Sequence, residues 1–551
     1  MQRFLSAFCI FILGLGLISA KDTQAQQVQV SVNNIVNYGF GEEFLNLGDT
    51  TREKEYFENF TDVRILADNV IIGFRLELSD PAEYGPDFSG IRRRFIGYQR
   101  DGLDVRIGNL FALHNRGMSL NLFEDRVIRY DTSLDGVRAE YDHDLFRVKA
   151  LAGSVNYLEH LTFDSPSGIR EENYRLRSGL VEFKPDRRMR IGGSYTYADG
   201  DMPSMFFEEP DQAEIFIPEG YVSYRLPFAR VTAGYNYRTL RLSDVADTTS
   251  ITGGGIYGSV NHTGPGYGIT LEYKNYSYDI TDPFERQGDP LRNTRMSPFQ
   301  SPPIAHREHS YSLMTRDPHL VNFEDEVGFF LEAFYSPTYN INLNSSIAMA
   351  SLHDSWLWDD ENFEFFEKEE GPRWLPGLAD ARDPFWEYYG HIEYFTPDFM
   401  SYVKLAYNHR NRLFYQAMAP EFSPKVIANT FALDVQYAVT PRWSVKAISE
   451  HQFVRDTQYG DDSDYYNQMF SLQIARSPDF SFGGRIETTT SEFDPSGEKF
   501  WYTVEGSMRI GRTHTLMASY GKERGGFVCT NGVCRFVNAF SGMRVSFISS
   551  F

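Results

Sequence analysis

The sequence predicts an all-β protein: a transmembrane up-and-down antiparallel β-barrel of about 24 strands (range about 22–26), with short periplasmic turns and long extracellular loops. Three observations lead there. Apolar and polar side chains alternate with a period of two over segments of about ten residues through most of the chain. Short turns, many bearing proline, join these segments at one end, and longer connections rich in Asp, Gly and Pro join them at the other. The closing stretch SGMRVSFISSF alternates as well, with Met543, Val545, Phe547, Ser549 and Phe551 on one face.

The elements follow in chain order. Residues 1–25 read as a removed secretory signal peptide: Arg3, an apolar run from Phe4 to Ile18, then Thr23-Gln24-Ala25 as a small-residue cleavage site. No later stretch approaches the length of an apolar membrane helix. Residues 26–551 read as one barrel domain. Strands are expected near 28–38, 57–66, 69–79, 91–100, 103–111, 134–142, 145–155, 172–183, 188–198, 217–226, 229–240, 251–262, 267–278, 325–335, 340–350, 386–396, 400–411, 427–438, 443–455, 465–475, 480–492, 499–510, 513–523 and 535–550. In FALDVQYAV, for example, Phe431, Leu433, Val435, Tyr437 and Val439 alternate with Ala432, Asp434 and Gln436. FKPDRR, YSPTYN, FTPDFM, VTPRWS and RSPDFS mark turns, because proline presets φ and cannot donate to a ladder.

Composition decides which solvent the apolar face meets. Aromatics are 15% of residues (34 Tyr, 45 Phe) and lie dispersed among polar residues. The net charge of −22 excludes a nucleic-acid partner, which needs a basic surface. A soluble propeller or sandwich would also alternate, but its strands average about 5–6 residues and its turns are tight at both ends. A lipid-facing barrel needs about 9–11 residues per tilted strand. The polar face carries mid-strand charges suited to a water-filled lumen: Arg75, Glu77, Arg106, Arg138, Glu140, Arg147, Lys149, Arg190, Arg238, Lys404, Lys446, Glu450, Arg485, Glu487, Arg509 and Arg544.

The terminal MRVSFISSF resembles the last strand of Gram-negative outer-membrane β-barrels. That resemblance implies an assembly signal at Met543, Val545, Phe547 and Phe551, read by the barrel-assembly machinery. The mature chain resembles porin-like outer-membrane barrels. GMSLNLFEDRVIRYDTSLDGVRAEY (117–141) and REHSYSLMTRDPH (307–319) further resemble a Bacteroidetes-type family of them. The resemblance implies residence in the cell outer membrane, among lipid and lipopolysaccharide. It supplies no substrate and no catalytic or binding residue.

At this strand number, wall side chains alone do not fill the lumen. Three irregular segments are candidates to narrow it: 112–133; 279–324, with six prolines and His306, His309 and His319; and 351–384, which with its edge holds Trp356, Trp358, Trp374 and Trp386. The histidines read as loop residues more readily than as a metal site, and the tryptophans as interface anchors or loop packing more readily than as sugar platforms. The acidic runs DDENFEFFEKEE and GDDSDYY lack a calcium-loop pattern. Cys529 and Cys534 flank Asn531-Gly532, a preferred hairpin turn, and are expected to form a disulfide at the tip of the last long loop, on the cell exterior.

No nucleophile-elbow, zinc-protease, phosphate-loop or dinucleotide motif is present, and no cofactor is implied. A globular N-terminal plug of the energy-coupled transporter type is not expected, because strands begin soon after residue 27. The expected function is a non-enzymatic outer-membrane channel or transport protein. The alternative is a non-conducting surface scaffold, adhesion or secretion-accessory barrel, and a lesser one is an enzyme with its site at the rim.

Overall fold

In these strands every second side chain is apolar, so each needs one dry surface and neighbours on both edges. Closing the sheet on itself meets both needs and leaves no unpaired edge. The computed structural model describes residues 28–45, 50–160, 169–202, 210–243, 248–278, 297–316, 318–359, 364–369, 374–413, 423–459, 463–494, 496–530 and 533–551. The segment expected to be a signal peptide, 1–25, lies outside the described residues. Twenty-four antiparallel strands form one closed barrel in which each pairs with its chain neighbours. The first, Val28–Leu45, also pairs with the last, Phe540–Ser550, from Asn33↔Ser550 to Glu43↔Phe540. We call this junction the seam. Phe551 extends it: its N–H donates to Val32 O at 2.9 Å and its carbonyl accepts from Val32 N at 3.1 Å.

The two ends differ as expected. Connections at one end leave two to six residues between strands, and all five proline turns lie there. Asp101 and Gly102 form one such two-residue turn, both with positive φ (49° and 85°), which an Asp-Gly pair accepts readily. At the other end the connections run to 23 residues (111–133), 33 residues (352–384) and 46 residues (279–324). Strands range from 8 residues (Leu103–Leu110) to 18 (Val28–Leu45 and Thr50–Ala67), so the longer ones rise past the length of a membrane crossing.

Alternation sets the two faces. Phe431 and Leu433 are 57% and 40% exposed on the outside, while Ala432 and Asp434 between them are 3% and 7% exposed on the inside. Several strands run further than expected, as 28–38 does to Leu45 and 57–66 back to Thr50, and two are clearly shorter. The strand expected over 480–492 stops at Thr489, and the one expected over 535–550 begins at Phe540. Residues 533–537 belong instead to a separate hairpin, Gly526–Thr530 with Val533–Val537. That hairpin is also alternating, and a period of two does not say which sheet a strand joins. No helix among the described residues is long and apolar enough to cross a membrane.

Candidate functional site

The interior is occupied by the chain's own connections. Residues 111–133 fold into two small hairpins, Ala112–His114 with Leu120–Leu122 and Glu124–Asp125 with Tyr130–Asp131. Leu120 and Leu122 are buried against Leu176, Ile215 and Leu240 on the inner wall. The inner face is therefore apolar where this segment covers it. His114 lies in the same packing, 3.3 Å from Ser178 Oγ, and burial beside Lys149 and Arg147 pushes its pKa down to about 3.

A second segment, 297–324, crosses the barrel as an irregular strap. Pro298, Pro302 and Pro303 remove the N–H groups a ladder would need. At its start the strap joins the first segment: Asn121 N donates to Phe299 O at 2.7 Å, and Gln300 Nε2 donates to Met118 O at 2.9 Å. Midway, Lys274 Nζ donates to Ile304 O at 2.5 Å and Arg307 pairs with Glu332 at 2.8 Å. At its far side Glu450 accepts the backbone N–H groups of Ser312 (3.0 Å) and Leu313 (2.7 Å). Arg410 donates to Met314 O at 2.9 Å, and Arg316 donates to both oxygens of Glu487 at 2.6 and 2.5 Å. Buried carboxylates that accept backbone or guanidinium protons hold firmly, because water is excluded from the bond.

The charges singled out in the sequence divide into groups. One holds the first segment: Arg75 binds Asp62 and Glu124, each at 2.7 Å, while Glu77 pairs along the wall with Arg92 at 3.3 Å. Others hold the strap: Arg238 binds Glu324 (2.6 Å), Lys404 stands over the Tyr311 ring (5.4 Å), and Glu450 and Glu487 act as described. Others pair along the wall. Arg138 binds Asp104 (3.0 Å), Arg147 binds Glu140 (2.6 Å), Lys149 reaches Glu140 at 3.5 Å, and Lys446 reaches Asp434 at 3.6 Å. Arg106 stands over Phe95 at 4.5 Å. Arg190 and Arg509 are exposed towards the short-turn end, and Arg485 is half-buried. Arg544 pairs with Glu523 and, at 3.7 Å, with Glu83. Met543, Val545, Phe547 and Phe551 share the opposite, outer face of the last strand, where the His514 ring stacks on Phe547.

Along the seam the interior is open. Met517, an inner-face residue, is 45% exposed, whereas Ile215 and Ile217 under the first segment have no exposure. A cavity of about 720 Å³ runs there, walled by strands on both sides of the seam. Its roof comes from the long-loop end: Glu83 and Tyr84, Arg126, Val127 and Arg129, and Val528 and Val537 of the hairpin. Glu58, Glu83 and Arg129 line this cavity, Arg316 and Arg524 both bind Glu487 (2.5 and 3.0 Å), and none of the five was among the sequence candidates. Each is an isolated charge whose partner is distant in the chain, so no local pattern marks it.

The hairpin corrects one expectation. Cys529 and Cys534 are joined by a disulfide, with Cα atoms 4.1 Å apart, but they do not stand at an outer tip. Both line a 210 Å³ pocket with His306, His309, Met314 and His319 of the strap. Arg316 donates to Gly525 O at 2.5 Å, and Val528 packs on Ile128 and Tyr130. Phe527 lines the same pocket, and Val528 and Val537 line the seam cavity. The turn itself, Asn531-Gly532, lies outside the described residues.

The histidines of the strap do not converge. His306 and His319 have ring centroids 5.5 Å apart, while His309 turns to Glu387. His319 stacks on Phe385 at 4.0 Å and meets Glu326 at 3.1 Å. Burial, with His319 alongside, pushes His306 down to about 3, and burial lowers His309 and His319 as well. Among the described residues no three His, Cys, Asp or Glu side chains are placed to hold a metal ion. Trp374 is exposed at the loop end, and Trp386 packs on His409 at 4.4 Å. Residues 360–363, 370 and 460–462 of the acidic runs, and the side chains of Trp356, Trp358 and the rest of the first run, lie outside the described residues.

The profile of a family of unknown function, DUF6029, matches residues 1–551. The chain belongs to that family. No curated protein matches it. Among solved structures it is similar to the siderophore receptor PirA from Pseudomonas aeruginosa, with 10% identity and a TM-score of 0.46, covering 96% of this chain and 81% of that one. It is also similar to the copper transporter OprC (10%, TM-score 0.44, covering 97% and 82%). A third is the translocation pore of the P pilus usher PapC (8%, TM-score 0.40, covering 94% and 99%).

Proposed function

We propose that this protein is a non-enzymatic, porin-like outer-membrane channel that passes small solutes along the seam side of a partly filled barrel. In this reading lipid and lipopolysaccharide surround the outer face, the barrel-assembly machinery inserts the chain, and the long loops face the cell exterior. The observation that carries it is the 720 Å³ cavity, whose wall carries six charged side chains and which is far roomier than the 210 Å³ pocket at the strap. A scaffold with no transport role would gain stability by filling that side too. Exposed inner side chains such as Glu505 and Met517 are what a solute route needs.

A second reading, a non-conducting scaffold, is favoured by one feature, the strap anchored from wall to wall by Glu450 and Glu487. Planar-bilayer recording on the purified protein separates the two. Reproducible current steps, small for so wide a barrel, are expected of the channel. A silent bilayer with correctly folded protein rejects it in favour of the scaffold.

A further inference from the structure

From the groups lining the seam cavity we infer that it binds a small zwitterionic solute of the amino-acid or short-peptide class, held between Glu58 and Arg544. The inference rests on the reading of this cavity as the solute route and names the chemistry of its cargo.

Glu58 is fully buried on the strand Thr50–Ala67. Its Oε1 accepts from Arg129 Nη2 at 2.7 Å and from Glu83 N at 3.2 Å, while its Oε2 has no hydrogen-bond partner. Across the seam, on Phe540–Ser550, Arg544 directs its terminal nitrogens to Glu523 and Glu83, and its buried Nε has no hydrogen-bond partner. Glu58 and Arg544 thus both line the cavity, and each keeps one buried atom, an acceptor on the anion and a donor on the cation, without a hydrogen-bond partner. Buried polar groups are seldom left so, and a ligand is one of the few things that satisfies them.

Glu83 shows what the cationic side is built for. Its two carboxylate oxygens stand 3.8 Å from Arg129 and 3.7 Å from Arg544, near enough for attraction and too far for a hydrogen bond. Burial holds its carboxyl above the usual range in spite of both guanidiniums, as for a carboxylate poorly satisfied where it stands. A free carboxylate arriving from solution can approach Arg544 directly, as this loop-borne one does not.

Charge balance selects the class. Glu58, Glu83 and Glu505 face Arg126, Arg129 and Arg544, so the lining is neutral in sum and strongly divided in place. A simple anion would meet the carboxylates and a simple cation the guanidiniums. A solute with ammonium and carboxylate ends satisfies both, and a cavity of this volume suits something larger than one amino acid.

Isothermal titration calorimetry on the detergent-solubilised full-length barrel tests this with triglycine, with N-acetyl-triglycine amide and with maltotriose. Triglycine is expected to bind at least ten-fold more tightly than either comparison, and Glu58→Gln is expected to remove most of that preference. The capped-peptide comparison needs no variant, so it decides the matter even if Glu58→Gln does not fold. Equal binding of triglycine and its capped form, preference for maltotriose, or no heat with any of the three overturns the proposal. A folded Glu58→Gln barrel that keeps the full preference overturns it also. Calorimetry does not depend on conduction, so a silent bilayer with triglycine bound rejects the channel reading and keeps the site.

Discussion

Leu472 and Gln473 are adjacent on the strand Tyr465–Arg476, yet they meet different solvents: Leu472 is 42% exposed on the outer face, and Gln473 lines the seam cavity. Both lie near the middle of a crossing measured up from the short turns. Leu472→Lys puts a charge into lipid and is expected to cost about 2–4 kcal/mol. Gln473→Lys puts it into water beside Glu505 and is expected to leave folding nearly unchanged. The folded fraction of each variant in a urea series in liposomes, read by its migration on an unheated gel, checks this. Equal sensitivity at the two positions would mean that the faces are assigned the wrong way round. This difference was legible in the sequence, because a period of two fixes every second side chain once one is known. Glu58 was not. It occupies an ordinary alternating position, and its importance comes from Arg129 and Glu83, which other parts of the chain bring to it.

At the scale of elements, the strap has to stay uncharged at its histidines. His306 carries a folded pKa of about 3 against about 6.5 in solvent. Between those values the released strap takes up a proton that the docked one refuses. Docking is therefore complete above about pH 7 and weakens as pH falls through 6.5 towards 3, by about 1–2 kcal/mol at pH 5 from this residue. Protection factors across residues 304–316, that is, exchange corrected for its intrinsic pH dependence, are expected to fall between pH 7.5 and pH 5, while the wall strands stay protected. Unchanged protection would mean that His306 is not held neutral by its packing. The irregularity of this segment was visible in its prolines. Its path was not, because Glu450 and Glu487 anchor it from strands more than a hundred residues away. The hairpin Gly526–Val537 misled for a related reason. Its alternation was legible, but the direction it folds is set by contacts with Ile128, Tyr130 and Arg316.

For the whole molecule, the disulfide hairpin matters through where it lies, as part of the roof at the long-loop end. Replacing Cys529 and Cys534 together by Ser leaves the barrel's own ladder untouched. It is expected to loosen the roof and raise the conductance or the frequency of opening, as dithiol reduction of the wild-type protein should. Cross-linking so short a loop removes little chain entropy, so the barrel's own stability should change by at most about 2 kcal/mol. Identical currents from reduced and oxidised protein would mean that the hairpin does not bear on the route. The number and order of strands could be read in the sequence because each repeats one local pattern. The filling of the lumen could not, since nothing in the pattern of a strand records which loop will lie against it.

The seam has a consequence for biogenesis. Arg544 belongs to the last strand and Glu58 to the second, and they come together only when Phe540–Ser550 docks on Val28–Leu45. A chain with twenty-three strands in place lacks Arg544, Val545 and Ser546, and the two sides of its cavity wall are not yet joined. Binding competence therefore arrives at the moment the ring completes, and a ligand that spans the junction acts as a clasp on it. Solute added during refolding should trap finished rings in preference to open ones, so that the cargo itself selects for correctly assembled protein.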